Sequence, residues 1–479
     1  MSRHPLKVLL SIGLLAAGSA LLPAEGHVPR LLALTDLEAL YSPFRTHEDM
    51  SPSLNTLSED QIAVAASVPL VVQPPRMASV DAPTVHSPSA SDYSEEQSAD
   101  EEAPVDPFET HPLGDLFRKL LDIEQGQGRP IHIVQLGDSE IASDAVTMTT
   151  RKLAADRFGD GGPGFVLAMK PWPSYSRSGV LHEMPEQFEV VSFPRAQASD
   201  GRYGPGGVGF DGSEAGGTSL FLRSELRGKP CEVGFIYLQQ IGGGQFRLSA
   251  DGKTYAHGLS HGPKGTAKHT HHFEQCPKRL KFHWGGNGQF RAFGWQIHGQ
   301  SPGVSWTSLG VNGARMTALR NYRGTDLVDS LAVLSPDILI MSFGLNIAAY
   351  PRGPNRKYSS QIEEVISNLR SGLPDVPCLV LGPYPVATKL GGRWEASPTV
   401  PRVGDAQREV AEKYGCVFVD RYARLGGDAA VEEWRTSNPK MLSADNVHLT
   451  RLGSERMGQF LFRLVTGEYD RLKGSASAL

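Results

Sequence analysis

The strongest constraint on the fold of this 479-residue chain is an apolar run that ends directly in Gly137-Asp138-Ser139. Residues 131–136 predict a buried strand, and residues 144–158 carry apolar side chains at helical spacing. A strand that turns sharply into a helix places the Ser139 hydroxyl at the carboxyl edge of a sheet, near the free N–H groups of a helix N-terminus. This position suits a nucleophilic serine, because the oxyanion that it creates needs donors already in place.

Three further apolar runs indicate that this strand belongs to a parallel sheet. Residues 338–343, 378–381 and 416–419 predict strands, and residues 363–370 and 405–414 predict crossover helices. We therefore expect a three-layer α/β fold, with ligands bound at the carboxyl ends of its strands.

Two later groups of polar residues are expected at the same edge of the sheet. Asn346 follows the strand at 338–343, and Asp445 and His448 precede a last amphipathic helix. A spacing of three can place the carboxylate and the imidazole on one face of a turn. The carboxylate can then fix the tautomer of the imidazole, whose other ring nitrogen accepts a proton from serine. Taken alone, the first motif is more often a simple helix cap than a nucleophile.

In their order along the chain, the three motifs resemble those of the SGNH (GDSL-type) hydrolases. The resemblance covers roughly residues 107–180 and 305–470. It implies an SGNH-hydrolase-like parallel sheet and assigns these roles: nucleophile Ser139, general base His448, orienting carboxylate Asp445, and oxyanion-hole donors Ser139, Asn346 and Gly313, with Gly310 as the alternative to Gly313.

Residues 158–166 and 309–314 more narrowly resemble the peptidoglycan O-acetylesterases, which carry an inserted β-rich module. The resemblance implies a serine esterase that removes O-acetyl groups from a polysaccharide, peptidoglycan first, through an acyl-serine and without metal or cofactor. Glu140 departs from the subfamily, which usually has His there, so Glu140 could alter leaving-group or substrate contacts. An O-acetyltransferase that uses the same site, and a cell-wall glycan-binding protein without activity, are the alternatives.

Helical periodicity disappears in the middle of the chain, where short apolar runs alternate with glycine-rich turns. This pattern predicts an inserted antiparallel β-sandwich-like module, similar to carbohydrate-binding modules. The expected organisation is a signal peptide at 1–24, an acidic Pro/Ser-rich disordered linker at 25–106, hydrolase segments at 107–179 and 304–475, and the insert at 180–303.

The ends and charges of the chain suggest where it acts. Positive residues, a short apolar run and small residues at 1–24 are typical of a secretory signal peptide. We expect a periplasmic or secreted protein, anchored in the membrane if that segment stays uncleaved. A net charge of −5 argues against a nucleic-acid partner. The expected partner is an O-acetylated polysaccharide, either peptidoglycan or another cell-surface glycan.

Some side chains of the insert could bind a sugar or a metal, but a structural role is expected for them. Trp284 and Trp295 could stack on sugars, but core positions are expected. His269, His271 and His272 are expected in a solvated loop rather than at a metal.

The four cysteines fall into two pairs. Cys231 and Cys276 both lie in the insert, where export would permit a disulfide, and the residues leave that open. Cys378 and Cys416 each begin an apolar strand, so they are expected as buried small side chains in the sheet.

Overall fold

The computed structural model describes residues 106–183, 188–223, 226 and 228–476. The signal peptide expected at 1–24 and, apart from Asp106, the linker expected at 25–106 lie outside the described residues. Within the described part, no helix is both long enough and apolar enough to cross a bilayer.

The described elements follow one another along the chain as two interleaved sets. The helices are α1 Gly114–Glu124, α2 Ser139–Ala142, α3 Ala145–Phe158, α4 Asp326–Ala332, α5 Leu345–Ala348, α6 Tyr358–Gly372, α7 Thr399–Lys413, α8 Arg421–Arg424, α9 Gly427–Thr436 and α10 Arg451–Ala476, with a 3-10 helix at Met316–Asn321. The strands are β1 Ile131–Gly137, β2 Gly164–Leu167, β3 Val180–His182, β4 Phe188–Ser192, β5 Val208–Gly212, β6 Gly216–Leu222, β7 Cys231–Gln239, β8 Gln245–Ala250, β9 Lys253–Leu259, β10 Gly265–Phe273, β11 Arg279–Trp284, β12 Phe290–Gly299, β13 Val304–Gly310, β14 Ile338–Ser342, β15 Cys378–Leu381, β16 Ala387–Leu390, β17 Arg393–Ala396 and β18 Val417–Val419.

Five parallel strands form the central sheet, in the order β13-β1-β14-β15-β18. The predicted α/β fold is confirmed, and strands such as β14 are buried along their whole length, as expected for a sheet covered on both faces. The edge strand β13 was not predicted as a strand, because polar residues interrupt its apolar run. It returns the chain from the insert directly beside β1, with Gly310 opposite Gly137.

Two groups of helices flank the central sheet. Helix α3 packs on α1 and α10, and helix α6 packs on α4 and α7. Tyr469 of α10 lies against both Phe108 and Phe117, with ring centroids 5.8 and 6.0 Å away. Burial of such large apolar side chains, at about 1.5–3 kcal/mol each, holds the helices on the sheet.

The insert consists of two antiparallel sheets, as predicted. One has the order β10-β7-β12-β5-β4, with β2 also paired to β12, and the other has the order β3-β6-β11-β8-β9. Trp295 and Trp284 are 1% and 0% exposed and lie against Phe235 and Phe290. Both tryptophans are therefore core residues, as expected, and are unavailable for stacking on a sugar.

The three histidines His269, His271 and His272 lie in β10, so the expectation of a loop is wrong. All of β10 pairs with β7, because alternate side chains can face solvent while the backbone completes the ladder. Polar composition concealed this strand.

Two disulfides cross-link the described chain. Cys231–Cys276 ties the start of β7 to the segment before β11. Cys378–Cys416 joins the first residue of β15 to the residue just before β18, with a Cα–Cα distance of 4.8 Å. The expectation that Cys378 and Cys416 are only buried small side chains is therefore wrong: the parallel register places them side by side, and they are bonded as well as buried.

A buried charge cluster lies between the insert and the central sheet. Asp144, just before α3, accepts hydrogen bonds from Arg151 (3.0 Å) and Arg177 (2.5 Å) and from the backbone N–H of Ser178 (2.8 Å). Burial opposes ionisation of Asp144, but the two guanidinium groups outweigh it and lower its pKa to about 2. Arg177 also donates to the carbonyl of Trp306 in β13. The cluster therefore fixes the segment that leads into the insert against the central sheet.

Candidate active site

Ser139 lies where β1 ends and α2 begins, as the strand–turn–helix pattern predicts. A Cβ at Gly137 would lie 2.3 Å from a side-chain carbon of Ile141, so only glycine allows the helix to start this close to the strand. Asp138 caps α2, since its Oδ1 accepts from the Glu140 N–H at 3.1 Å. Across the described residues, the Ser139 N–H donates to no protein acceptor and is available for a ligand.

The structure brings Ser139, His448 and Asp445 into one hydrogen-bonded chain. Ser139 Oγ lies 2.8 Å from His448 Nε2, and His448 Nδ1 lies 2.5 Å from Asp445 Oδ2. The serine is 309 residues away from the histidine along the sequence. These contacts are those required for a serine whose proton is withdrawn by an imidazole that a carboxylate orients.

Asp445 also holds the loop that carries it. Its Oδ1 accepts from the backbone N–H groups of Val447 and His448, each at 3.0 Å. Partial burial opposes ionisation of Asp445, but the hydrogen bonds from the His448 side chain and from these two N–H groups lower its pKa to about 2. Tyr384 adds a hydrogen bond to the Val447 carbonyl at 2.9 Å. The carboxylate is therefore ionised, and the imidazole is held in one orientation.

The two further oxyanion-hole candidates, Gly313 and Asn346, meet at the turn formed by residues 311–314, here called the oxyanion loop. Asn346 Nδ2 donates to the Ala314 carbonyl at 2.9 Å, which leaves its second amide hydrogen for a ligand. Gly313 has φ +76°, a left-handed conformation that favours glycine. Its N–H donates to no acceptor in the described part of the chain.

Gly310, the alternative to Gly313, has a different role. It ends β13, and a Cβ there would lie 2.0 Å from the backbone nitrogen of Ala142. Gly310 thus lets α2 pack closely on the sheet. The geometry favours Gly313 over Gly310 as the backbone donor.

Glu140, which could alter leaving-group or substrate contacts, is buried beside Arg421, so an effect on substrate would have to be indirect. The turn of α2 directs its side chain inward, where it is 5% exposed and pairs with Arg421 at 2.7 and 3.1 Å. Arg421 also donates to the Gly382 carbonyl at 2.6 Å. Sequence reasoning missed this pair because Glu140 and Arg421 are 281 residues apart, and no local pattern links them.

The described residues offer acid–base and nucleophilic groups at this site rather than a set of metal ligands. Across the described ranges, no group of three His, Cys, Asp or Glu side chains is arranged to hold a metal ion. The arrangement can attack a carbonyl with a serine oxygen, and Ser139, Gly313 and Asn346 are the candidate donors to the resulting oxyanion.

Comparison with known proteins agrees with this geometry. Residues 277–456 match the model of the GDSL-like lipase/acylhydrolase family, a range that includes Gly313, Asn346, Asp445 and His448 but begins after Ser139. A solved structure of a peptidoglycan O-acetylesterase shares the fold, with a TM-score of 0.63 and 21% identity over 78% of this chain and 99% of that chain. The sequence matches no curated protein.

Two further solved structures overlap only in part. The acetyl xylan esterase AlAXEase is 18% identical over 33% of this chain and 80% of its own, with a TM-score of 0.26. A family two carbohydrate esterase from Clostridium thermocellum is 12% identical over 59% of this chain and 96% of its own, with a TM-score of 0.24. At these scores neither bears on the fold or substrate of this chain. The family match and the shared fold together support a carboxylic ester hydrolase of the GDSL type.

Proposed function

We propose that this protein is an exported serine esterase that removes O-acetyl groups from a polysaccharide, with peptidoglycan as the first candidate. The observation that carries the proposal is the hydrogen-bonded chain of Asp445, His448 and Ser139 beside the unpartnered N–H of Ser139. The likeness in fold to a peptidoglycan O-acetylesterase supports the choice of polymer.

The proposed reaction has two halves. His448 Nε2 takes the proton of Ser139 as Oγ attacks the acetyl carbonyl, and the protonated imidazole then gives this proton to the departing sugar oxygen. Asp445, ionised, stabilises the imidazolium. In the second half, His448 activates a water molecule that attacks the acetyl-serine, and acetate leaves as Ser139 regains its proton.

The oxyanion hole would act in both halves. The N–H groups of Ser139 and Gly313 and the free amide hydrogen of Asn346 would bind the carbonyl oxygen as it becomes negative. Donors fixed before the reaction lower its barrier more than mobile water does, because they need no reorganisation.

Exposure of the site favours hydrolysis over acyl transfer to another sugar. The side chains of His448 and Asp445 are 49% and 51% exposed, so water has access to an acyl-serine. An O-acetyltransferase would use the same groups and differ only in its acceptor. Incubation with an acetyl donor and unacetylated glycan separates the two, since a transferase leaves acetylated glycan and an esterase leaves acetate.

Export to the periplasm or the outside of the cell is the second part of the proposal. It is supported by the disulfides Cys231–Cys276 and Cys378–Cys416, because structural disulfides persist in oxidising compartments and are rare in the cytosol. The signal peptide expected at 1–24 is consistent with it. Fractionation of cells that express the full chain, followed by detection of the protein in each fraction, tests this part directly.

The decisive experiment measures acetate release from O-acetylated peptidoglycan by the full chain and by Ser139→Ala. Release by the parent and none by the variant supports both the serine mechanism and the polymer. If the parent cleaves 4-nitrophenyl acetate but not the polymer, the substrate is another glycan. If it cleaves neither, the esterase proposal is wrong, and a glycan-binding role takes its place.

A further inference from the structure

A turn of the insert reaches the oxyanion loop of the hydrolase domain. Arg195 lies in this turn, shortly after β4, and its guanidinium lies beside Gly313. A Cβ built on Gly313 would be 3.0 Å from Arg195 Nη2. The insert thus carries a cation to the glycine whose N–H is assigned to the oxyanion hole.

The turn that carries Arg195 is anchored to the hydrolase domain. It is closed by a hydrogen bond from the Ser192 N–H to the Ala196 carbonyl at 2.7 Å. Phe193, 2% exposed, packs against Tyr322, and its carbonyl accepts from Asn321 Nδ2 at 2.9 Å. The backbone under Arg195 is therefore fixed relative to the catalytic groups, which lowers the ordering cost of a contact with substrate.

The charge of Arg195 is not used inside the described part of the protein. Two neighbouring arginines of the insert have acidic partners: Arg202 pairs with Asp326 at 2.7 Å, and Arg291 pairs with Asp200 at 2.8 Å. Arg195 is exposed, and its side chain forms no hydrogen bond or ion pair with any described residue. An exposed planar guanidinium without a partner among the described residues is suited to a bidentate contact with a carboxylate.

We propose that Arg195 determines specificity by binding a carboxylate of the glycan close to the O-acetyl ester. This rests on the proposed function and narrows its substrate class to acidic O-acetylated glycans. The lactyl carboxylate of peptide-free peptidoglycan strands and the carboxylate of a uronic acid offer the same chemistry. The anion would lie beside the oxyanion loop, and the neutral acetyl group would enter the hole itself.

The test compares each acidic glycan with its own neutral form. O-acetylated peptide-free peptidoglycan strands and an O-acetylated polyuronate are assayed before and after reduction of their carboxyl groups to alcohols. For Arg195→Gln we expect kcat/KM to fall about five- to tenfold on the acidic forms, as expected for one partly exposed charged hydrogen bond. The fall should lie mainly in KM and shrink at high salt. Reduced glycans and 4-nitrophenyl acetate should change less than twofold.

Two further variants serve as controls. Arg195→Lys keeps the charge without the fork of donors and should retain part of the effect. Arg247→Gln removes an exposed arginine from β8, in the other sheet of the insert, and should leave every substrate unchanged.

Each outcome decides the proposal. A loss on both acidic glycans supports recognition of the carboxylate, and a loss on one of them also identifies its source. An equal loss on the reduced glycans and on 4-nitrophenyl acetate would place Arg195 at the oxyanion and overturn the proposal, as would no loss at all. If the parent hydrolyses no ester, the proposed function fails separately. In that case, the affinity for the acidic glycan is compared between Ser139→Ala and Ser139→Ala/Arg195→Gln. A fivefold lower affinity of the double variant supports carboxylate binding by Arg195, and equal affinities overturn it.

Discussion

Asp138, next to the nucleophile, has two oxygens in different surroundings. Oδ1 caps α2, while Oδ2 is buried without a hydrogen-bond partner among the described residues. Burial, and next the charge of Glu140, raise the pKa of Asp138 to about 7. Folding therefore favours the neutral form of this carboxyl. Its ionisation at higher pH lowers the free energy of unfolding.

We expect Asp138→Asn to be stabilised relative to the parent as pH rises. An acid whose pKa is raised by folding adds stability below its unfolded pKa, and this is lost as pH rises through the folded pKa near 7. Between pH 5 and pH 8 the parent should lose roughly 2 kcal/mol that the amide does not lose. Urea unfolding at both pH values measures the difference. Asp122→Asn, at an exposed position in α1, is the matched control, and a difference independent of pH would refute the expectation.

Removal of the Asn346 donor should slow catalysis without abolishing binding. Because the amide acts on the developing oxyanion, we expect Asn346→Ala to reduce kcat by ~10²–10³ with little change in KM. Asn346→Asp should lose at least as much, because a carboxylate cannot donate and also repels the oxyanion and the Ala314 carbonyl. Steady-state kinetics with 4-nitrophenyl acetate provide the measurement. A kcat for Asn346→Ala within about threefold of the parent would exclude Asn346 from the oxyanion hole.

At the scale of elements, the four-residue helix α2 depends on its neighbours for its position. Gly310 of β13 allows it to approach the sheet, and Glu140 pins its buried side to Arg421 of α8. Both ends of this ion pair are almost fully buried, at 1% and 0% side-chain exposure. A buried ion pair adds little net stability, but the loss of one partner leaves an uncompensated charge.

We therefore expect Glu140→Gln to destabilise the protein by about 3–5 kcal/mol. The double variant Glu140→Leu/Arg421→Met should regain part of this loss, because neither charge remains buried. Guanidinium unfolding of the parent, of Glu140→Leu, of Arg421→Met and of the double variant gives the coupling free energy between the two positions. Additive losses would show that the pair does not act as a unit.

At the scale of the whole molecule, local patterns were enough to predict four of the five parallel strands and the motifs that meet at Ser139. Contacts between segments that are far apart in the sequence could not be predicted from it. The Cys378–Cys416 bond depends on the register of two strands, and the Glu140–Arg421 pair joins opposite ends of the hydrolase domain. Polar composition concealed β10 and β13, since each is a strand through its pairing with a neighbour that only the fold supplies.

The Cys378–Cys416 disulfide allows the stabilising effect of such a long-range link to be measured. Cys378→Ala/Cys416→Ala should lose roughly 2–4 kcal/mol of unfolding free energy, because the bond restricts a long loop of the unfolded chain. Cys231→Ala/Cys276→Ala, with a separation of 45 residues against 38, should lose a similar amount. Both losses should nearly vanish when variants and parent are compared in reductant. A loss that persists in reductant would mean that packing, and not the bond, is responsible.

The separation of 309 residues between Ser139 and His448 also sets the order in which the enzyme becomes competent. Ser139, the proposed nucleophile, is synthesised long before His448, its proposed base. Strand β1 can pair with its neighbours β13 and β14 only after the insert has been synthesised. Nascent or prematurely terminated chains that end before His448 carry the serine without the imidazole that activates it. The hydrogen bond from Ser139 to His448 can form only after residue 448 has been synthesised, so under the proposed function a chain that stops earlier would have no esterase activity.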